Sequence, residues 1–191
     1  APAATRVNGP MFRSIRGTTS PTRYMPALAT VLAGNTANTW EVCPSVARTL
    51  NFSLTTRDNK AGGGQTASDL MKVTVSGTAG PFLVSVPNTN VTWQAGTNQN
   101  VTWDVAGTTA NGVNTPYVDI YLSTNGGSGF PVLLASKVPN DGSEVITVPN
   151  NVGTTNRIMV KGHGNIFLDV SNTNFAITAP SSTMAIAFIF S

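Results

Sequence analysis

The chain has 191 residues, enough for one large domain or two of ordinary size, and either can bury a core. Hydrophobic residues make up 40% of it, which excludes a disordered chain, while charged residues make up 10%, well below the usual share of about a quarter. The net charge is +3, set by eight Lys/Arg against three acids over residues 1–80 and three against five over residues 81–191. Arginines scattered in this way, without a dense basic face, argue against nucleic-acid binding.

Thr, Asn, Ser and Gly stand where charges are missing, the surface chemistry of secreted β-proteins. The single cysteine, Cys43, excludes an internal disulfide and reads as a small, buried side chain. A disulfide-free extracellular chain suits a bacterial surface or medium. Ala1 to Ala4 lack a basic segment followed by an apolar core, so the expectation is that a leader has been removed or that the chain is part of something longer. No apolar run approaches the eighteen or so residues that span a bilayer.

Residues 1–40 are irregular and proline-broken, with one helical turn expected over Ala27 to Leu32 and ended by Gly34-Asn35. Thr49 to Arg57 alternates, with Leu50, Phe52 and Leu54 on one face and Asn51, Ser53 and Thr55 on the other. A long connection through Gly62-Gly63-Gly64 leads to a second strand at Met71 to Val75, and Gly77 to Pro81 marks a domain boundary. Strands are then expected at Phe82–Val86, Asn90–Trp93, Asn100–Val105, Tyr117–Leu122, Val132–Ser136, Glu144–Val148, Arg157–Lys161, Ile166–Val170 and Asn174–Thr178. Asn111-Gly112, Asn125-Gly126-Gly127, Asn140-Asp141-Gly142 and Gly162-His163-Gly164 supply the turns between them.

This spacing predicts an all-β protein. Residues 81–178 form an immunoglobulin- or fibronectin-III-like β-sandwich, and residues 1–80 a partial β-sandwich module of cadherin- or PKD-like kind. Residues 179–191 are a linker with an apolar strand whose Met184, Ile186, Phe188 and Phe190 are candidates for self-association. Neighbouring domains of a longer polypeptide, or strand donation by another copy, would complete the two ends.

Little in the sequence points to bond-breaking chemistry. One histidine, His163, rules out a paired-histidine zinc site and, between glycines, reads as a bystander in a turn. Asp104, Asp119 and Asp169 fall inside strands, where they read as solvent-face polars more readily than as a glycosidase pair. No cofactor is expected except calcium. Asp58, Asn59 and Asp69 flank the glycine-rich connection and are its candidate ligands, with turn capping as the competing role. Core packing is expected for Trp40, Trp93 and Trp103, whereas Tyr117 is the aromatic expected to be exposed and to contact a ligand.

Several stretches carry a family resemblance. Thr19-Ser20-Pro21-Thr22-Arg23-Tyr24-Met25-Pro26, Asn38-Thr39-Trp40-Glu41-Val42, Ala47-Arg48-Thr49-Leu50-Asn51-Phe52 and Arg57-Asp58-Asn59-Lys60-Ala61-Gly62-Gly63-Gly64 resemble the region behind the catalytic domain of secreted reprolysin-like zinc metalloproteases of Bacteroidetes. Val101-Thr102-Trp103-Asp104-Val105, Val118-Asp119-Ile120, Leu122-Ser123 and Gly164-Asn165-Ile166-Phe167-Leu168-Asp169-Val170-Ser171 resemble the domain that follows. The resemblance implies C-terminal accessory β-domains without the catalytic domain. It also implies a secreted or cell-surface location and a role as spacer, adhesion or stabilising module of a larger protein. Its expected partners are other domains of the same polypeptide, neighbouring copies, or surface polysaccharide or protein. A self-assembling filament subunit, donating residues 183–190, and a carbohydrate-binding module are the alternatives.

Overall fold

A computed structural model describes residues 1–20 and 22–181 of the chain. The stretch containing Met184, Ile186, Phe188 and Phe190 lies outside the described residues. The fold is all-β apart from one short helix, α1 (Leu28–Leu32), close to the single turn expected there. The strands are β1 (Arg48–Arg57), β2 (Thr66–Val75), β3 (Leu83–Val86), β4 (Thr92–Gln94), β5 (Asn98–Asp104) and β6 (Tyr117–Ser123). They continue with β7 (Val132–Pro139), β8 (Ser143–Thr147), β9 (Gly153–Gly162), β10 (Leu168–Val170) and β11 (Phe175–Thr178).

β1 and β2 form an antiparallel hairpin whose register runs from Arg48↔Val75 to Arg57↔Thr66. β2 begins five residues earlier than the sequence suggests. Thr66 to Leu70 carry no apolar alternation, but their backbones continue the ladder against Ser53 to Arg57. Only the base of this ribbon is covered. Leu50 is buried with Met11 and Val42, and Phe12, Phe52, Val73 and Val75 pack around them. Farther out, Leu54, Leu70 and Met71 stand exposed.

Two sheets make up the rest. One has the order β3-β5-β8; the other runs β4-β11-β9-β6-β7, with β10 also paired to β9. All these pairings are antiparallel except β4 with β11, which is parallel. Alternation decides what is inside: Val101 and Trp103 of β5, Val118, Ile120 and Leu122 of β6, and Ile158 and Val160 of β9 point into one shared core. Val84, Trp93, Ile146, Phe175 and Ile177 complete it from other strands of both sheets. Two sheets burying one apolar layer between them is sandwich-like packing.

The N-terminal segment is anchored on the larger sheet. Arg157 donates from Nη1 to the carbonyls of Leu32 (3.2 Å) and Ser171 (2.5 Å), and from Nε to Asn174 Oδ1 (2.6 Å). Leu32 lies so close to Gly127 that a Cβ there would overlap its Cδ2, and Gly127 has a φ of +94°. Gly127→Ala therefore combines overpacking with a strained backbone and is expected to cost about 1–3 kcal/mol. Chemical denaturation measures this. A variant as stable as the parent chain would contradict both the left-handed backbone at Gly127 and the close approach of Leu32.

Candidate functional site

A cluster of ionisable and polar side chains lies on the outer face of the larger sheet, and it grows out of a β-bulge. Val118 pairs with Val138 and Ile120 with Ala135, so Ser136 and Lys137 together oppose Asp119. Lys137 takes a φ of +53°, and its N–H donates to Asp119 Oδ1 at 2.8 Å. The Ser136 hydroxyl donates to the same oxygen at 2.9 Å. His163 comes over from the turn after β9, with Nδ1 at 3.1 and 3.0 Å from the two carboxylate oxygens. The His163 N–H also donates to the carbonyl of Tyr117, which fixes that turn on the start of β6.

Asp119 is thus buried, not on a wet face as its place in the strand pattern suggests. The bulge and the histidine turn cover it, and neither is visible in strand alternation. Burial pushes its carboxyl up, but the Lys137 N–H, the Ser136 hydroxyl and His163 together hold it below the ordinary aspartate range. His163 is not the bystander expected of a turn residue, although its side chain is 40% exposed. Ser136 and His163 both bond to the carboxylate and not to each other, so the serine has no imidazole beside it.

Asp104 stays exposed and caps its own turn by accepting the Ala106 N–H at 2.8 Å. Asp169, on β10, is half-buried and reaches across to the other sheet, where Oδ2 accepts the Val84 N–H at 2.7 Å. Burial raises its carboxyl above the ordinary value, only partly opposed by the N–H groups of Val84 and Val170. The native fold therefore binds this proton more tightly than the unfolded chain. The stability tied to it is full below the ordinary aspartate value of about 3.9 and is lost as pH rises through the raised one. Asp169→Asn keeps an acceptor for Val84 and removes that loss. Its melting temperature relative to the parent chain is expected to rise between about pH 3 and pH 7. Melting curves that shift in parallel across this range would contradict the assignment.

The candidate calcium ligands are not gathered. Asp58 Oδ1 accepts the N–H groups of Lys60 and Gln65, both at 3.1 Å, and so caps the turn. Those N–H groups hold its carboxyl low. Asn59 sits at a φ of +52°, the left-handed conformation that asparagine tolerates. Asp69 is in mid-strand opposite Leu54, three residue pairs from the end of the ladder at Arg57↔Thr66, or about 10 Å along the strand. The first residues of β2, Thr66 to Ser68, are what separate the two carboxylates.

The aromatics divide differently from the expectation. Trp93 and Trp103 are core, but Trp40 is 57% exposed and is the aromatic that the sequence misplaces. Its neighbour Glu41 is buried instead, because Asn38 Oδ1 accepts the N–H groups of both residues and turns the chain so that the carboxylate points inward. An asparagine two residues before an otherwise unexplained tryptophan was the available signal. Tyr117 is 39% exposed, with Lys137 Nζ 5.4 Å from its ring centroid. Cys43 is half-buried, and burial pushes its thiol up, away from reactivity. Among the described residues no helix is long and apolar enough to cross a membrane, and no three His, Cys, Asp or Glu side chains gather as a metal site.

Comparison with protein-family models and with curated proteins finds no match to this chain.

Proposed function

We propose that the chain is a pair of non-catalytic accessory β-modules of a secreted or cell-surface bacterial protein, acting as spacer, adhesion or stabilising units. Its sequence resembles the modules behind the catalytic domain of Bacteroidetes reprolysin-like zinc metalloproteases, and such a protease is the proposed parent. The observation that carries the reading is the use made of Asp119: its carboxylate closes a bulge and binds a turn histidine, a structural task. The sheet orders β3-β5-β8 and β4-β11-β9-β6-β7, with β4 parallel to β11, support an immunoglobulin-like topology for residues 81–178.

The test is hydrolysis by the purified chain. Incubated with denatured protein and with polysaccharides, it is expected to release neither peptides nor reducing sugar. Turnover that disappears in Asp119→Asn or His163→Ala, with the fold retained by circular dichroism, would overturn the proposal.

A second reading, adhesion through self-association, is favoured by the β1–β2 ribbon. Neither outer edge of this hairpin pairs with another strand among the described residues, and Leu54, Leu70 and Met71 are exposed beside those edges. Removing residues 183–191 would then abolish assembly seen by light scattering. A chain that stays monomeric with or without them would end this reading.

A further inference from the structure

The turn that exposes Trp40 also builds an open cleft of about 510 Å³ in the N-terminal segment. Arg13, Thr22, Arg23, Tyr24, Asn38 and Trp40 are among its lining residues. Its base is held by hydrogen bonds. Arg23 Nη2 donates to Glu41 Oε1 at 2.5 Å and to the carbonyl of Arg13 at 2.8 Å, while Glu41 Oε2 accepts the Ala27 N–H at 2.9 Å. The charge of the buried Glu41 is thereby offset by that of Arg23. Arg13, an exposed lining residue, makes no ion pair among the described residues, so the cleft carries one uncompensated positive charge.

The combination points to one ligand chemistry. An exposed indole offers a flat apolar face to the axial C–H groups of a sugar ring. Thr18 and Thr22 add neutral polar groups suited to hydroxyls, while Asn38 holds the turn that presents the indole. A guanidinium fork matches a carboxylate in two parallel hydrogen bonds. The volume falls within the range of roughly 300–1,000 Å³ usual for ligand sites. Peptide docking by strand addition has no purchase here, because the cleft is lined by irregular chain and one short helix instead of a sheet edge.

We infer that this cleft binds an acidic oligosaccharide, with a sugar ring stacked on Trp40 and a uronate carboxylate held by Arg13. The inference rests on the accessory-module reading only in giving adhesion a ligand. It is tested by affinity electrophoresis of the full chain through gels containing polygalacturonate, with hydroxyethylcellulose as neutral control and polyglutamate as acidic-peptide control. The chain is expected to be retarded by polygalacturonate and by neither control. Trp40→Ala and Arg13→Ala are each expected to weaken retention about tenfold or more, in line with loss of one stacking or bidentate contact. Both residues are exposed, so the variants are expected to fold, and circular dichroism checks this. Absence of retardation, retention unchanged in both variants, or equal retention by polyglutamate would overturn the inference. Cleavage of the polygalacturonate would instead overturn the non-catalytic reading.

Discussion

Phe175→Ala is expected to destabilise the sandwich by about 3–5 kcal/mol, a large part of the roughly 5–15 kcal/mol that holds a domain of this size together. Phe175 is 0% exposed and stacks, tilted by 55°, with its ring centroid 4.7 Å from that of Trp93. Truncation removes that pair contact and leaves a cavity lined by both sheets, which cannot collapse because strands on each side hold it open. The control is Leu70→Ala on the hairpin. Leu70 is equally apolar but 80% exposed, and its loss should change stability by no more than about 0.5 kcal/mol. Urea denaturation of both variants measures the contrast. Equal effects would mean that the core is not where the sheets place it.

Asn140→Ala is expected to have the next largest effect, for a different reason. Asn140 is a buried polar residue whose side chain is fully engaged. Its Oδ1 accepts Trp103 Nε1–H at 2.8 Å, and its Nδ2 donates to Thr108 Oγ1 at 2.9 Å and to the Thr115 carbonyl at 3.0 Å. One amide thus ties the core tryptophan of β5 to the loop between β5 and β6. Truncation strands the indole N–H in the interior, at about 1–3 kcal/mol for that donor alone. A double-mutant cycle isolates the pair. Trp103→Phe removes the donor as well, so the double variant should be more stable than the sum of the single effects predicts, by about 0.5–3 kcal/mol. Strict additivity would show that the hydrogen bond contributes nothing.

The sandwich strands are legible in the sequence because each buries one face and wets the other. Val101-Thr102-Trp103-Asp104 is enough to place Val101 and Trp103 in the core and Asp104 outside. Expected and observed strands over residues 81–178 agree in number and order, and their boundaries differ by a few residues. The β-sandwich-like, all-β class follows from the same alternation. Where backbone pairing proceeds without an apolar pattern, the signal fails. Thr66 to Leu70 extend β2 through ladder hydrogen bonds alone, and this lengthening moves Asp69 away from Asp58.

The polar side chains are harder to read for a related reason. Asp119 lies on the outer face by alternation and is nonetheless buried, because a bulge at Ser136-Lys137 and a turn at His163 close over it. Those contacts span 17 to 44 residues of sequence and leave no local trace. Trp40 fails in the opposite sense. An aromatic in an irregular segment is assigned to the core by its size, yet the Asn38 side chain decides its direction. Both errors concern side chains governed by specific hydrogen bonds and not by periodicity.

Native-state hydrogen exchange of the full chain is the most direct measurement of the central claim, that residues 81–178 form one cooperative sheet scaffold with a largely uncovered ribbon attached. Amides of β5, β6 and β9 are expected to exchange only through global unfolding, while those in the outer half of β1 and β2 exchange by local opening, orders of magnitude faster. Protection of the outer ribbon as strong as that of β6, or rapid exchange within β6 and β9, would contradict it.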